Sequence, residues 1–130
     1  MFSEISVKSS KRNELIDVSA QIEKAVKESG VKEGFCLVFC PHTTAAVTIN
    51  ENADPSVKED LLGYFSKLVP EHGRYLHSEG NSDAHIKSSL IGASVFLPVK
   101  NSGLVLGAWQ GIFFCEFDGP RNRKLMVLVK

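Results

Sequence analysis

Apolar and polar residues alternate along residues 3–8, with Ile5 and Val7 on one side and Glu4, Ser6 and Lys8 on the other. A period of two predicts a half-buried strand. After Asp17 the period lengthens. Val18, Ile22, Ala25 and Val26 share one side of a helix that Asp17 caps and Gly30 stops, so the predicted helix ends at Ser29. Residues 35–40 are apolar on both faces, which predicts an interior strand closed by Pro41. Residues 44–51 resume as a strand rich in β-branched side chains. If these two strands pair through their tight connection, His42 and Glu51 fall at opposite ends of the hairpin.

Asp54-Pro55 is a helix start, a capping carboxylate followed by proline at the first helical position. Val57, Leu61, Leu62, Phe65, Leu68 and Val69 then form a helical stripe that Pro70 ends. Residues 71–81 read as a polar loop, and Ser82 or Asp83 caps a short helix through Leu90 that Gly92 ends. Four strands are expected over residues 95–99, 104–110, 112–118 and 124–130. Asn101-Ser102-Gly103 is a hairpin turn signal, and Gly119-Pro120-Arg121-Asn122 is another turn. The last three strands follow one another across short turns, so they are expected to be antiparallel. Gly103, Gly107 and Gly111 would then share a strand face with Val105 and Trp109, leaving room for close approach of a backbone or ligand, or marking a bulge. Strands dominate and no regular β-α-β alternation appears. The pattern predicts an α+β fold, an antiparallel sheet curled into a half barrel or sandwich with packed helices.

At 130 residues the chain is expected to form one domain over residues 1–130, with one core. Formal net charge is zero, which argues against a broad electrostatic binder of nucleic acid. Basic residues gather only after Asp118, as Arg121, Arg123, Lys124 and Lys130, a patch suited to a phosphate. No apolar run is long enough to span a bilayer, and the start of the chain has no signal pattern, so no membrane partner and a cytoplasmic protein are expected. There are three cysteines. Cys36 and Cys40 would share a strand face roughly 13 Å apart, too far for a disulfide or a shared metal, so all three are read as reduced core residues.

Polar residues then stand out against this background. Gln110 and Glu116 interrupt the apolar run of residues 104–118, where a charge is costly unless paired or used. Glu116 shares strand parity with Ile112, Phe114 and Asp118. A structural role for it, paired with Arg121 or with a buried backbone group, stands beside the functional one. His77 and His85 flank a loop that leads into a helix start, an arrangement suited to two metal ligands or to an acid and a base. His42 follows an interior strand, and Asn50 and Glu51 follow the next. Asp54 is read mainly as a cap and His72 as solvated.

The segments His42-Thr43-Thr44-Ala45-Ala46-Val47-Thr48-Ile49-Asn50-Glu51-Asn52-Ala53-Asp54-Pro55, Asp83-Ala84-His85-Ile86-Lys87-Ser88-Ser89-Leu90 and Leu106-Gly107-Ala108-Trp109-Gln110-Gly111-Ile112 together resemble the YjbQ-like family. That family is named for a secondary thiamine-phosphate synthase activity, which joins a pyrimidine pyrophosphate to a thiazole phosphate. The resemblance covers essentially the whole chain, with Ala108 standing where the family usually has threonine. It implies a half-barrel α+β fold, a homotrimer with clefts between subunits, and a divalent metal ion, zinc or magnesium. By likeness, His42, Asn50, Glu51, His77, His85, Gln110 and Glu116 are site candidates. Read as an enzyme, His77 and His85 hold the metal, His42 binds substrate or joins them, Glu116 or Glu51 acts as base or as a further ligand, Asn50 and Gln110 orient substrate, and Arg121 meets a phosphate. A non-catalytic trimeric binding module and a metal-dependent phosphatase or hydrolase are the alternatives to this transferase.

Overall fold

The computed structural model describes all 130 residues. The chain runs β1 (Phe2–Lys8), β2 (Glu14–Asp17), α1 (Ser19–Ser29), β3 (Glu33–Phe39), β4 (Ala45–Glu51), α2 (Pro55–Leu68), α3 (Ser82–Ile91), β5 (Ser94–Lys100), β6 (Gly103–Leu104), β7 (Gln110–Glu116) and β8 (Asn122–Val129). Every strand pairing is antiparallel. Five strands form one sheet in the order β1-β8-β3-β5-β6, and three form a second in the order β2-β7-β4. The fold is therefore α+β, with antiparallel sheet curled into a half barrel and helices packed on it. No helix is long and apolar enough to cross a membrane.

The layers follow from strand parity. The inward residues of the five-stranded sheet, among them Val7, Val38, Leu97, Leu125 and Val127, meet Ile22, Ala25 and Val26 of α1 and Ile112 and Phe114 of β7 in the main core. The opposite face of β7 carries Phe113 and Cys115. They pack with Leu15, Ala46, Ala84 and Phe117 under Leu61, Leu62 and Phe65 of α2. Both faces of β7 are thus buried, which is why its sequence is apolar without alternation.

Several sequence expectations are corrected here. The strands β3 and β4 do not pair with each other; they lie in different sheets. Nor does β7 pair with β8, whose neighbours are β1 and β3. The short edge strand β2 was not anticipated, because Glu14-Leu15-Ile16-Asp17 is too brief and too polar to stand out. The expected strand over residues 104–110 shrinks to Gly103–Leu104. Beyond it the chain turns, with the Gly107 N–H donating to the Gln110 side-chain oxygen at 2.8 Å and the Gln110 N–H donating to the Gly107 carbonyl at 3.1 Å. The shared glycine face therefore does not exist, although Gly111 does admit a close neighbour: a methyl group there would lie 2.8 Å from Asn52 Cβ. The β3 strand has one buried face only, since Cys36 and Val38 point inward while Phe39 is exposed.

The local signals fare as the residues predict. Asp54 caps α2, accepting from the Ser56 N–H at 2.9 Å, with Pro55 in the first turn. Asn101 and Ser102 both take positive φ, 52° and 61°, in the turn that joins β5 to β6. Asp17 belongs to β2, yet still accepts from the Ser19 N–H at the start of α1. The three cysteines are free and buried, and burial pushes the Cys36 thiol up to about 11.

Candidate functional site

Glu116 ends β7 on the face of Ile112 and Phe114, and it is fully buried. Arg123 enters β8 on the inward parity of Leu125, Val127 and Val129. The two meet between the sheets. Arg123 Nε donates to Glu116 Oε1 at 2.9 Å and Nη2 to Oε2 at 2.6 Å, a bidentate pair. The Ser9 hydroxyl donates to Oε1 at 2.7 Å and the Asp118 N–H to Oε2 at 3.1 Å. Burial alone would raise the Glu116 carboxyl, but Arg123, Ser9 and the Asp118 N–H together hold it below its ordinary value. All its oxygens are engaged, so the arrangement gives Glu116 the part of fixing Arg123 rather than that of a general base.

A second set of charges anchors α3. Asp83 and Lys87 sit one turn apart on its inner side, buried, with Nζ 3.1 Å from Asp83 Oδ2. Arg12, from the loop after β1, reaches Asp83 at 2.9 Å, Glu71 at 3.2 Å and Asp118 at 3.5 Å. Asp118 in turn accepts from Asn81 Nδ2 at 2.9 Å and from Arg121 Nη2 at 3.2 Å. Carboxylates buried in this way are tolerable because each is answered by a cation or a donor. The network pins one side of α3 and turns His85 toward three cavities and Ser88 and Ser89 toward one of them.

The most polar of these, about 320 Å³, is lined by the cations Arg121 and Arg123, the carboxylates Glu79 and Asp118, and Thr43, Thr44, His77, Asn81 and His85. Arg121 spends Nε on the Asp118 carbonyl and Nη2 on its carboxylate, which leaves Nη1 without a partner in the chain. The Asn81 amide oxygen is buried without a hydrogen bond. His77 and His85 meet edge to face, ring centroids 5.4 Å apart, and neither His85 ring nitrogen is hydrogen-bonded within the chain. His85 also lines a cavity of about 510 Å³ with His42, Thr43, Ser88 and Ser89, and a third of about 460 Å³ with Tyr75 and His77. His42 Nε2 lies 3.0 Å from the Lys124 N–H and 3.2 Å from the Lys124 carbonyl, and the ring stands edge-on to Phe114. Burial first, and the charge of Arg123 second, lower its basicity despite the opposing hydrogen bond.

The expected site residues thus divide. His42, His77, His85, Glu116 and Arg121 gather at one end of the molecule. Asn50, Glu51 and Gln110 lie at the other, where Glu51 pairs with Gln110 and Asn50 with Gly111 across β4 and β7. Seven residues of β7 separate the ends, roughly 20 Å of strand. The cause is the antiparallel register, which sets Ala45, just past His42, opposite Glu116 and carries Glu51 away from it. Expected metal ligands His77 and His85 form a pair without a third donor, for no group of three His, Cys, Asp or Glu side chains is arranged to hold an ion. The donor set does not fit the implied metal, and no step is derived through one. The sequence pattern gives no role to Arg12 or Lys87, reads Asp83 only as a helix cap and Arg123 only as part of a basic patch, and none of them as a buried ion pair. Of these only Arg123 had a signal, its parity with the apolar residues of β8.

A small antiparallel α+β domain of this fold is a class with solved members. A protein-family model described as "UPF0047 protein YjbQ-like" matches residues 3–130, and the chain belongs to that family. It is 51% identical to a UPF0047 protein of Methanocaldococcus jannaschii, over 99% of this chain and 94% of that protein. It is 52% identical to the UPF0047 protein YugU of Bacillus subtilis, over 95% of this chain and 94% of that protein. A crystal structure of an uncharacterized YjbQ/UPF0047 protein from Clostridium acetobutylicum superposes with a TM-score of 0.97 at 53% identity, covering 98% of this chain and 99% of that one. A YbjQ-like protein of unknown function from Sulfolobus solfataricus gives 0.96 at 36% identity, covering 99% and 95%.

These comparisons correct the expected activity. The relatives are named only as UPF0047 or YjbQ proteins, or as of unknown function, and none is named for thiamine-phosphate synthesis or for a metal. The assignment as a metal-binding thiamine-phosphate synthase is withdrawn.

Proposed function

We propose that the protein binds a small phosphorylated molecule in the polar cavity beside Arg121, and that His85 exchanges a proton with it. The observation that carries this reading is the state of His85. It stands in the wall of three adjoining cavities with both ring nitrogens free. An imidazole so placed can give or take a proton from a bound molecule. The unpartnered Nη1 of Arg121 and the Thr43 hydroxyl supply donors for phosphate oxygens. Arg123 answers Glu116, and Lys87 and Arg12 answer Asp83, while Arg121, paired with Asp118 through Nη2, keeps Nη1 free to meet an anion. Three reduced cysteines accord with a cytoplasmic setting.

The test is calorimetric titration with inorganic phosphate, then a screen of phosphate esters by phosphorus NMR. Wild type is expected to bind phosphate. Arg121→Ala is expected to lose at least tenfold in affinity, and His85→Ala to bind while losing turnover. Absence of phosphate binding by wild type would overturn the reading.

We also infer a homotrimer. The outer face of the five-stranded sheet supports it, for Phe2, Leu128, Leu37 and Phe96 stand in register across four strands. Phe2 and Phe96 are each 64% exposed. An apolar row of this extent on a soluble chain marks an interaction surface. The separation of Glu51 and Gln110 from His85 supports it too, since a head-to-tail ring sets the far end of one protomer beside the near end of the next.

A further inference from the structure

The cavity of about 510 Å³ shares Thr43 and His85 with the polar cavity beside Arg121, so the two adjoin along one wall. Their chemistry differs. Behind Thr43 and His85 the larger cavity holds His42, Ala45, Ser88, Ser89, Gly92 and Ala93, with no arginine, lysine or carboxylate. A charged group would lie there without an opposite charge, and a large apolar one would find only two alanines to cover it.

The Ser88 hydroxyl proton goes to the Thr43 carbonyl at 2.6 Å, with the His85 carbonyl at 3.0 Å as a second acceptor. The Ser89 hydroxyl donates to the His85 carbonyl at 2.9 Å. Each serine therefore offers a ligand lone pairs only. The opposite holds for His42. His42 Nε2 lies 3.0 Å from the Lys124 N–H, which can only donate, and 3.2 Å from the Lys124 carbonyl, which can only accept; the shorter contact favours an accepting Nε2, with the ring proton on Nδ1. No group of the chain accepts that proton. The ring is held in place by the same bond and by the edge of Phe114, centroids 6.4 Å apart. Burial and the nearby Arg123 favour the neutral ring.

We propose that this cavity is a second subsite, in which His42 Nδ1–H and the lone pairs of Ser88 and Ser89 select an uncharged, polyhydroxylated body attached to the phosphate. The proposal rests on the anion-binding reading above and gives it a substrate class. The ligand is a phosphomonoester of a small polyol or sugar, with its phosphate at Arg121 and its hydroxyls over Ser88 and Ser89. His85, shared by both cavities, then stands beside the bond that joins body to phosphate. The combined space suits a molecule of that size, since small-molecule sites commonly measure about 300–1,000 Å³. His42 is a specificity-determining residue here, and its contribution comes from a fixed donor rather than from charge.

The experiment compares inorganic phosphate, methyl phosphate, glycerol 3-phosphate and ribose 5-phosphate by calorimetry on the full chain. Wild type is expected to bind glycerol 3-phosphate or ribose 5-phosphate at least tenfold more tightly than methyl phosphate. Ser89→Ala and His42→Phe are expected to erase most of that advantage while leaving inorganic phosphate unchanged. Ser89 is exposed, so its variant folds even if His42→Phe is damaged. Long-range proton–nitrogen NMR is expected to show His42 protonated at Nδ1 and bare at Nε2. No binding of inorganic phosphate by wild type would overturn the anion reading itself. Phosphate binding with no gain from any hydroxylated body, or a His42 protonated at Nε2, would overturn the second subsite alone.

Discussion

Glu116 and Arg123 illustrate how little freedom a buried charge has. The four contacts on Glu116 come from three residues, one each from Ser9 and Asp118 and two from Arg123. Removing one partner leaves the other charged and dry, so Glu116→Ala is expected to cost about 3–5 kcal/mol of stability in urea unfolding at neutral pH. The pH dependence has a definite sign. Because the folded carboxyl lies below its unfolded value, its contribution is complete above the unfolded value and is lost as pH falls through the folded one. His42 acts in the same direction for a different reason. Burial, and then Arg123, lower its folded basicity, so the unfolded ring takes up its proton first as the solution is acidified. Wild type is therefore expected to lose stability from about pH 7.5 to about pH 5.5, and His42→Gln to lose less over the same interval. Equal slopes for the two proteins would show that His42 is not held neutral by the fold.

At the scale of elements, two glycines separate close packing from mere flexibility. Gly34 opens β3 against the chain terminus, and a methyl group there would overlap the Lys130 carbonyl oxygen. That carbonyl accepts from the Phe35 N–H at 2.8 Å. Gly34→Ala is expected to destabilise by about 1–3 kcal/mol, the usual cost of forcing an extra methyl into a filled space. Gly63 lies within α2 with nothing near it, and Gly63→Ala is expected to stabilise by about 0.5–1 kcal/mol through helix propensity. Urea midpoints of both variants decide the contrast. The helices were legible in the sequence because their signals are local: the Asp54-Pro55 start, the stripe from Val57 to Leu68, the stops at Gly30 and Gly92. Strand partners were not, because pairing joins residues far apart in sequence. Nothing in β7 or β8 alone records that the turn between them carries the chain from one sheet to the other. The site was half legible for the same reason. Glu116 stood out as a charge in an apolar run, whereas Asp83 and Lys87 look like the solvated side of a helix until Arg12 arrives from residues far upstream.

At the scale of the whole molecule, the apolar row on the five-stranded sheet and the divided polar residues bear on one question, the state of association. Phe35 stacks on Phe96 at 5.0 Å, so part of the row is already ordered within one chain and needs no rearrangement to receive a neighbour. Wild type is expected to scatter light as a particle of three times 14.3 kDa, and Phe96→Lys to scatter as a single chain while keeping its circular dichroism. The site residues extend the prediction. If a ring brings the far end of one protomer to the near end of the next, Gln110 acts on its neighbour's cavity and not on its own, from which β7 holds it roughly 20 Å away. Gln110→Ala is then expected to weaken ligand binding by the trimer, yet to leave unchanged whatever binding the Phe96→Lys monomer retains. A wild-type chain that stays single at micromolar concentration would remove the ring, and with it any role for Glu51 and Gln110 beside His85.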